Sequence, residues 1–245
     1  MRNCLVWTCG LLALFLALPS CLAAQEMSIS LGDDGGLSAR TIQLFALITV
    51  LSLAPGLAIM VTCFPFLVTV LSILRQAIGL QQSPPNMLII SLALFLTYFI
   101  MEPVFTAAWE NGLRPLTNEE ISVEVAFDKT LEPFRVFMAG RLDPDTFFAM
   151  ADLRPETAEA TPTPDAPLSI LIPSFLLSEI SRAFQIGFLI YLPFLIIDLV
   201  VAAILMSMGM MMVPPAVVSL PFKLAFFVIA DGWALIAGSL VRSYF

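Results

Sequence analysis

The 245-residue chain contains no histidine, only four cysteines and few charged residues. The absence of histidine removes the side chain that most often acts as a general base or a transition-metal ligand. Lysine and arginine together number 11 and form no basic stripe, so nothing indicates a nucleic-acid partner. We therefore predict a protein that is not an enzyme, holds no cofactor or metal, and binds no nucleic acid.

The first residues resemble a secretory signal peptide. Arg2 supplies the positive charge, residues 5–18 are apolar, and small residues lead to Ala23 and Ala24. We predict residues 1–24 to be removed, with cleavage after Ala23 or Ala24. Two alternatives stay open, namely lipoprotein processing at Cys21 and an uncleaved anchor.

Cleavage would leave one cysteine in the mature chain. Cys4, Cys9 and Cys21 lie in the leader, so only Cys63 would remain. A single thiol cannot form an intrachain disulfide, so the exported part is not stabilised by disulfides.

Apolar residues dominate the amino-acid composition. They make up 59% of the chain against 12% charged residues, and the mean hydropathy is +0.95. Such a composition is typical of a membrane protein. The acidity is local, because residues 110–165 hold 12 of the 19 carboxylates and only five basic residues. We predict that this window is exposed to water.

The apolar runs define the organisation. Runs of residues cover about 41–74, 86–109, 180–208 and 221–240. We predict an all-α membrane protein in which two long, kinked hydrophobic helical hairpins flank a small, mainly helical extracytoplasmic domain. The predicted segments are the signal peptide 1–24, a polar segment 25–40, the first hairpin 41–109, an acidic domain with its linker 110–168, and the second hairpin 169–245.

Prolines and polar stretches add local detail. The run 41–74 is too long for one straight crossing, so Pro55 and Pro65 are expected to kink or break it. Residues 155–167, rich in proline, threonine and alanine, are interpreted as a flexible surface linker. Pro193 should bend the third run.

Several charges lie in or beside the apolar runs and need a partner, a wet cavity or neutralisation. Glu179 and Arg182 are three residues apart and could pair at a helix start. Asp198 and Lys223 could pair across the second hairpin. Three interpretations of that pair stay open: a bridge within one subunit, a contact between subunits, or part of a proton path.

A methionine-rich turn ends the third run. Five of the twelve methionines fall within residues 206–212, before Pro214 and Pro215. Methionine is flexible and soft, so the cluster indicates a deformable apolar seal. An ordinary lipid-facing or core-facing methionine run is the alternative.

These residues resemble one family. Residues 183–199, the block Met208-Gly-Met-Met-Met-Val-Pro-Pro215, residues 220–224 and Asp231-Gly-Trp233 are similar to the FliP family of flagellar type III export-gate proteins, whose injectisome counterpart is SctR. Residues 84–101 resemble the second apolar segment of that family. One departure is clear: the family usually has Phe-Thr-Arg where this chain has Phe64-Pro65-Phe66.

The resemblance implies a pentamer of this subunit, assembled with FliQ and FliR beside FlhA and FlhB. It implies a multi-pass protein of the bacterial inner membrane, located in the flagellar basal body, through which unfolded export substrates pass. It also implies residue roles. The pore gasket would comprise Met208, Met210, Met211 and Met212; the turn would comprise Gly209, Pro214 and Pro215; the buried charges for assembly would comprise Glu179, Asp198, Lys223 and Asp231.

Three other functions compete with a flagellar gate. An injectisome subunit of the SctR kind would share most of these features. An independent membrane transporter would explain the apolar runs and the buried charges, but not the methionine turn. An intramembrane enzyme would have to use Asp198 and Asp231 as its acids, and neither lies in a recognisable protease motif.

Overall fold

The computed structural model describes residues 37–80, 83–210 and 212–245, apart from the side chains of residues 37–40, 54 and 55. The chain divides into two units, Met1–Val50 and Leu51–Phe245. The described residues form helices and no strand. The α-helices are α1 (Leu37–Met60), α2 (Phe64–Ile78), α3 (Asn86–Ala108), α4 (Arg114–Thr117), α5 (Val123–Arg141), α6 (Pro144–Ala151), α7 (Leu168–Ser207), α8 (Pro215–Ile229) and α9 (Gly232–Arg242).

The first apolar run is two helices rather than one. α1 passes through Pro55 and ends at Met60, and α2 begins at Phe64 with Pro65 in its first turn. The break predicted at Pro65 is therefore present, whereas Pro55 does not end the helix. A proline in the first turn sacrifices no intrahelical hydrogen bond, so it favours a new helix start at this position.

Helix α2 is the centre of the main core. Its residues Phe66, Leu67, Val70, Leu71 and Leu74 are fully buried. Side chains from α3, α7, α8 and α9 pack against them. The 15 residues of α2 reach about 22 Å, which is less than a bilayer core requires. This part of the first run is therefore a core helix that is too short to cross a bilayer by itself.

Helix α3 matches the predicted second run. A left-handed Gly79 ends α2, and Arg75 donates hydrogen bonds to the Pro84 carbonyl and the Asn86 side chain, which fixes the start of α3. The helix runs through Pro103 to Ala108 and then into a π-helical turn.

The acidic segment is mainly helical, as predicted. Ser122 caps α5, and the Asp143 carboxylate caps α6 by accepting from the Thr146 amide at 3.0 Å. Hydrogen bonds from the Thr146 hydroxyl and amide lower the pKa of Asp143. The Asp143 amide in turn donates to the Ser178 hydroxyl at 3.0 Å, which ties α6 to α7.

The segment 155–167 lies along the surface but is anchored there, so the interpretation as a flexible linker is wrong. Arg135 of α5 donates to the carbonyl of Pro164 at 3.2 Å and to that of Ala166 at 2.9 Å. Thr157 and Ala166 are buried. Ala166 also joins a second core with Met138 and other residues of α5, α6 and α7.

Helix α7 begins at Leu168, one residue before the predicted second hairpin and twelve residues before the apolar run that starts at about residue 180. Its first turns pack against the acidic segment through Ile170, Leu171 and Phe175. The helix has 40 residues, or about 60 Å, and Pro173 and Pro193 lie inside it.

The predicted fourth run is broken. α8 and α9 meet at a bend of 60°. Asp231 forms the bend in the left-handed conformation, with φ 47°. The close packing of Gly232 against the Phe227 ring explains the glycine, since an added Cβ would lie 2.2 Å from that ring.

Among the described residues, three helical stretches are long and apolar enough to cross a bilayer, and a fourth if the bent α8–α9 pair counts as one span. The three are Thr41–Met60, Asn86–Thr117 and Leu168–Ser207. The chain is an all-α membrane protein.

Candidate functional site: the methionine turn and the buried ion pairs

The methionine turn begins with a hydrogen-bonded helix stop. Gly209 follows α7 in the left-handed conformation, with φ 74°. The Met210 amide donates to the Leu205 carbonyl and the Gly209 amide to the Met206 carbonyl, each at 3.0 Å. These two bonds form a Schellman motif, which satisfies carbonyls that the helix end would leave free. Gly209 therefore reverses the chain without steric strain.

Prolines restart the chain as a helix on the other side of the turn. Pro214 is the N-cap of α8 and Pro215 is its first residue. Proline fits this position because its fixed φ is helical and its missing N–H is not needed there. The turn between the Gly209 stop and the Pro215 start is therefore short and defined at both ends.

The methionines of the turn are exposed in the single chain. Met208 is 66% exposed, Met210 42% and Met212 98%, while Met211 lies outside the described residues. Exposure of this much thioether surface is unfavourable in water. The turn thus exposes flexible apolar side chains that a neighbouring molecule could cover.

Asp198 and Lys223 pair as the sequence predicted. Lys223 Nζ lies 2.6 Å from Asp198 Oδ2, and the lysine side chain is only 7% exposed. The ammonium also donates to the Ala77 carbonyl at the end of α2, at 3.2 Å. Ser219 donates to the other Asp198 oxygen at 2.6 Å. The pair joins three helices within one chain.

Glu179 does not pair with Arg182. Its carboxylate is fully buried and accepts from Arg141 Nε of α5 at 3.1 Å. The Tyr244 hydroxyl donates to its second oxygen. Glu179 lies in the fourth turn of α7 rather than at a helix start, so its side chain points into the space between α5 and the C-terminal segment.

Arg141 and Tyr244 are the residues that sequence reasoning missed. Arg141 also donates to the Ser243 carbonyl at 2.9 Å, and its guanidinium lies over the Tyr244 ring. Burial and then the Glu179 charge raise the pKa of the Tyr244 phenol. A basic residue at the C-terminal end of a helix was a weak indication, because its partner is 38 positions away.

The family departure lies beside this cluster. Phe66 is fully buried, its ring centre is 5.6 Å from that of Tyr244, and Arg141 lies 6.0 Å from it. An aromatic ring thus occupies the position at which the family usually has arginine, and the cation in this region comes from α5.

Asp231 is not a buried charge. It is exposed at the bend between α8 and α9 and caps α9 without a side-chain hydrogen bond. The expected set of four buried charges is thereby reduced to Glu179, Asp198 and Lys223. They form two separate sites, since Glu179 precedes Asp198 by 19 residues of α7, or about 28 Å of helix.

Comparisons with known proteins agree with the resemblance. The FliP family profile matches residues 47–240. The chain belongs to the FliP family. It is 50% identical over 227 residues to the flagellar biosynthetic protein FliP of Caulobacter vibrioides, covering 91% of this chain and 84% of that protein.

Two further FliP relatives cover comparable lengths. Agrobacterium fabrum FliP is 46% identical over 237 residues, which are 95% of this chain and 97% of that protein. Bacillus subtilis FliP is 47% identical over 208 residues, which are 83% and 92% of the two chains. The FliP match therefore includes both apolar hairpins and the turn between α7 and α8.

Proposed function

We propose that this protein is a core subunit of the flagellar type III protein export gate and is needed for flagellum biogenesis. The observation that carries the proposal is the methionine turn of a FliP family member, with exposed thioethers held between a glycine helix stop and a double-proline start. The protein is a multi-pass protein of the bacterial inner membrane and belongs to the flagellar basal body.

The turn seals the pore. In a pentamer, Met208, Met210, Met211 and Met212 of each copy form a ring that closes the channel to ions between substrates. Thioethers make few directional bonds, so an unfolded chain can displace them and they can close around it. A narrow apolar constriction also excludes water and ions by dewetting.

The partners are those of the family resemblance. Five copies assemble with FliQ and FliR, next to FlhA and FlhB, and unfolded flagellar export substrates pass through. The many exposed apolar side chains of α3, α7 and α8 would be covered by partner subunits or by lipid, because a chain in water would not leave them exposed. Glu179, Asp198 and Lys223 position the helices for this assembly, and Asp231 sets the α8–α9 bend.

A clean deletion tests the function. We expect loss of swimming and of secreted hook and filament protein, both restored by the wild-type gene. Normal swimming with lost effector secretion would instead assign the chain to an injectisome, the alternative that the family permits. Normal function of both systems, without a second copy of the gene, would contradict either assignment. Solute transport by the purified chain without partners would favour the independent transporter.

Ion conductance tests the gasket. Replacing Met210, Met211 and Met212 by alanine should make cells expressing the assembled gate leaky to small ions, because the shorter side chains cannot close the ring. Met87→Ala is the matched control, since that methionine is 74% exposed but lies at the start of α3. Unchanged conductance of the triple variant, at normal protein level, would exclude the gasket role.

A further inference from the structure

One face of α5 carries two parallel rows of three residues, and five of the six residues are exposed. The apolar row comprises Val123, Phe127 and Leu131, and the acidic row comprises Glu124, Asp128 and Glu132. Each row has a spacing of four residues, which places its members above one another on a helix. The two rows are adjacent, because each acidic residue follows an apolar one in sequence.

The apolar row is open to its surroundings. Val123 is 72% exposed and Phe127 is 63% exposed, while Leu131 is partly buried. Two residues of α5 are buried, Ala126 and Met138, and Met138 lies on the same side of the helix as the apolar row, two turns beyond Leu131. The apolar row is therefore exposed at its N-terminal end, where most of the Phe127 ring surface makes no contact within the chain.

The acidic row is uncompensated. All three carboxylates are exposed, and neither of the two ion pairs formed among the described residues involves them. Like charges four residues apart destabilise a helix. Glu124 in the first turn is favoured by the helix dipole, but Asp128 and Glu132 lie beyond its reach.

Nearby cations are used elsewhere. Arg135 donates to the carbonyls of Pro164 and Ala166, and Arg141 binds Glu179. Two of the five basic residues in the window 110–165 are thereby directed into the fold. Lys129 lies between the acidic residues in sequence but forms no ion pair with them in the described chain.

We propose that this α5 face docks a basic amphipathic segment of another protein. Apolar side chains of the partner would cover Phe127 and Val123, and its lysines or arginines would meet the acidic row. The charge argues against three other occupants: a second copy using the same face would bring six carboxylates together, and anionic lipid or nucleic acid would be repelled. A second copy that uses another surface is distinguished by the crosslinking experiment. The inference goes beyond the export-gate role and does not depend on it.

Photo-crosslinking in cells tests the proposal. The full chain carries p-benzoylphenylalanine at position 127, or at Lys129 as the matched control on the same helix but outside both rows. We expect an adduct at 127 that is at least several-fold stronger than at 129. Mass spectrometry should place it on a protein segment with lysine or arginine beside apolar residues at helical spacing.

Two sets of variants distinguish the effect of the acidic charges on binding from the effect of side-chain size. The neutral set E124Q, D128N and E132Q should weaken the adduct at 127 several-fold, and the charge-conserving set E124D, D128E and E132D should retain it. All three substituted positions are exposed, so protein levels should not change. An absent adduct, an adduct to another copy or to lipid, a partner segment without basic residues, or indifference to neutralisation would each overturn the proposal.

Discussion

The Arg141 guanidinium lies 4.0 Å from the centre of the Tyr244 ring and 3.1 Å from a Glu179 oxygen, with both partners largely buried. Cation–π contact and ion pairing therefore act on one side chain. Since Arg141 belongs to α5, Glu179 to α7 and Tyr244 to the C-terminal end, this cluster connects the acidic segment to both parts of the second apolar hairpin.

Removing the Arg141 cation should destabilise the protein strongly. Arg141→Met leaves the fully buried Glu179 carboxylate without a counter-charge, which typically costs about 3–5 kcal/mol. Thermal unfolding of the chain in detergent measures the loss. The double variant R141M/E179Q should be clearly more stable than R141M alone, because no charge then remains buried. Equal stability of the two would show that the charge of Glu179 is not the cause.

Removing either charge of the Asp198–Lys223 pair should lower the unfolding temperature, but not by the same amount. Asp198→Ala leaves a lysine that is 7% exposed, whereas Lys223→Met leaves an aspartate that is 30% exposed. Because the more buried charge has the larger desolvation penalty, D198A should lower the unfolding temperature more than K223M. Similar losses would contradict this argument.

Reversing both charges of that pair should restore stability only in part. The combination D198K/K223D keeps opposite charges, so it should be better than D198K or K223D alone. Full recovery is not expected, because an aspartate at 223 cannot donate to the Ala77 carbonyl as Lys223 does. A double variant no better than the single ones would argue against pairing.

Gly209→Ala should weaken the methionine turn through its backbone. No atom lies within 4 Å of an added Cβ, so the cost comes from the left-handed φ of 74° and should be about 1–2 kcal/mol. Gly140→Ala is the control, since that glycine is also open but lies inside α5 with ordinary helical geometry. It should be neutral or stabilising. Unfolding temperature and swimming should fall only for G209A.

Gly187 sets the distance between α7 and α2. A Cβ at this position would lie 2.4 Å from Ile73 Cδ1. Gly187→Leu should therefore overpack the contact, at a cost of about 1–3 kcal/mol. Ile73→Ala opens the same space, so G187L/I73A should be more stable than the sum of the single losses predicts. If the stability losses of G187L and I73A simply add in the double variant, the strain does not come from the contact with Ile73.

Cys63 should resist alkylation while the protein is folded. Burial raises the pKa of its thiol to about 12, so at pH 8 only about one molecule in ten thousand is thiolate. With Cys4, Cys9 and Cys21 replaced by serine, iodoacetamide should react only after unfolding. Met87→Cys, at an exposed position, is the positive control and should react quickly. Rapid labelling of folded Cys63 would contradict the burial argument.

The membrane helices could be predicted because hydropathy over about 20 residues is a local property of the sequence. For this reason the predicted runs agree with the observed helix α3 (Asn86–Ala108) and with the observed end of α7 at Ser207. The turn at Gly209 and Pro215 was also local, because glycine and proline restrict the backbone by themselves.

Other features depended on contacts between distant residues. The packing of the first turns of α7 on the acidic segment, through Ile170, Leu171 and Phe175, is one such feature. Arg141 was missed because its partner Glu179 is on another helix. The Asp231 bend was missed because close packing of Gly232 on Phe227, and not a proline, produces it.

The 40 residues of α7 form one continuous helix. Its N-terminal turns are held in the core of the acidic segment, and the methionine turn follows its other end, about 60 Å away. Between these ends the helix is fixed to α2 by the close contact of Gly187 with Ile73, and to α8 by the Asp198–Lys223 pair. Only nine residues, or about 14 Å of helix, lie between Asp198 and Ser207, so this single helix works as a ruler that sets the spacing between the acidic segment and the methionine turn.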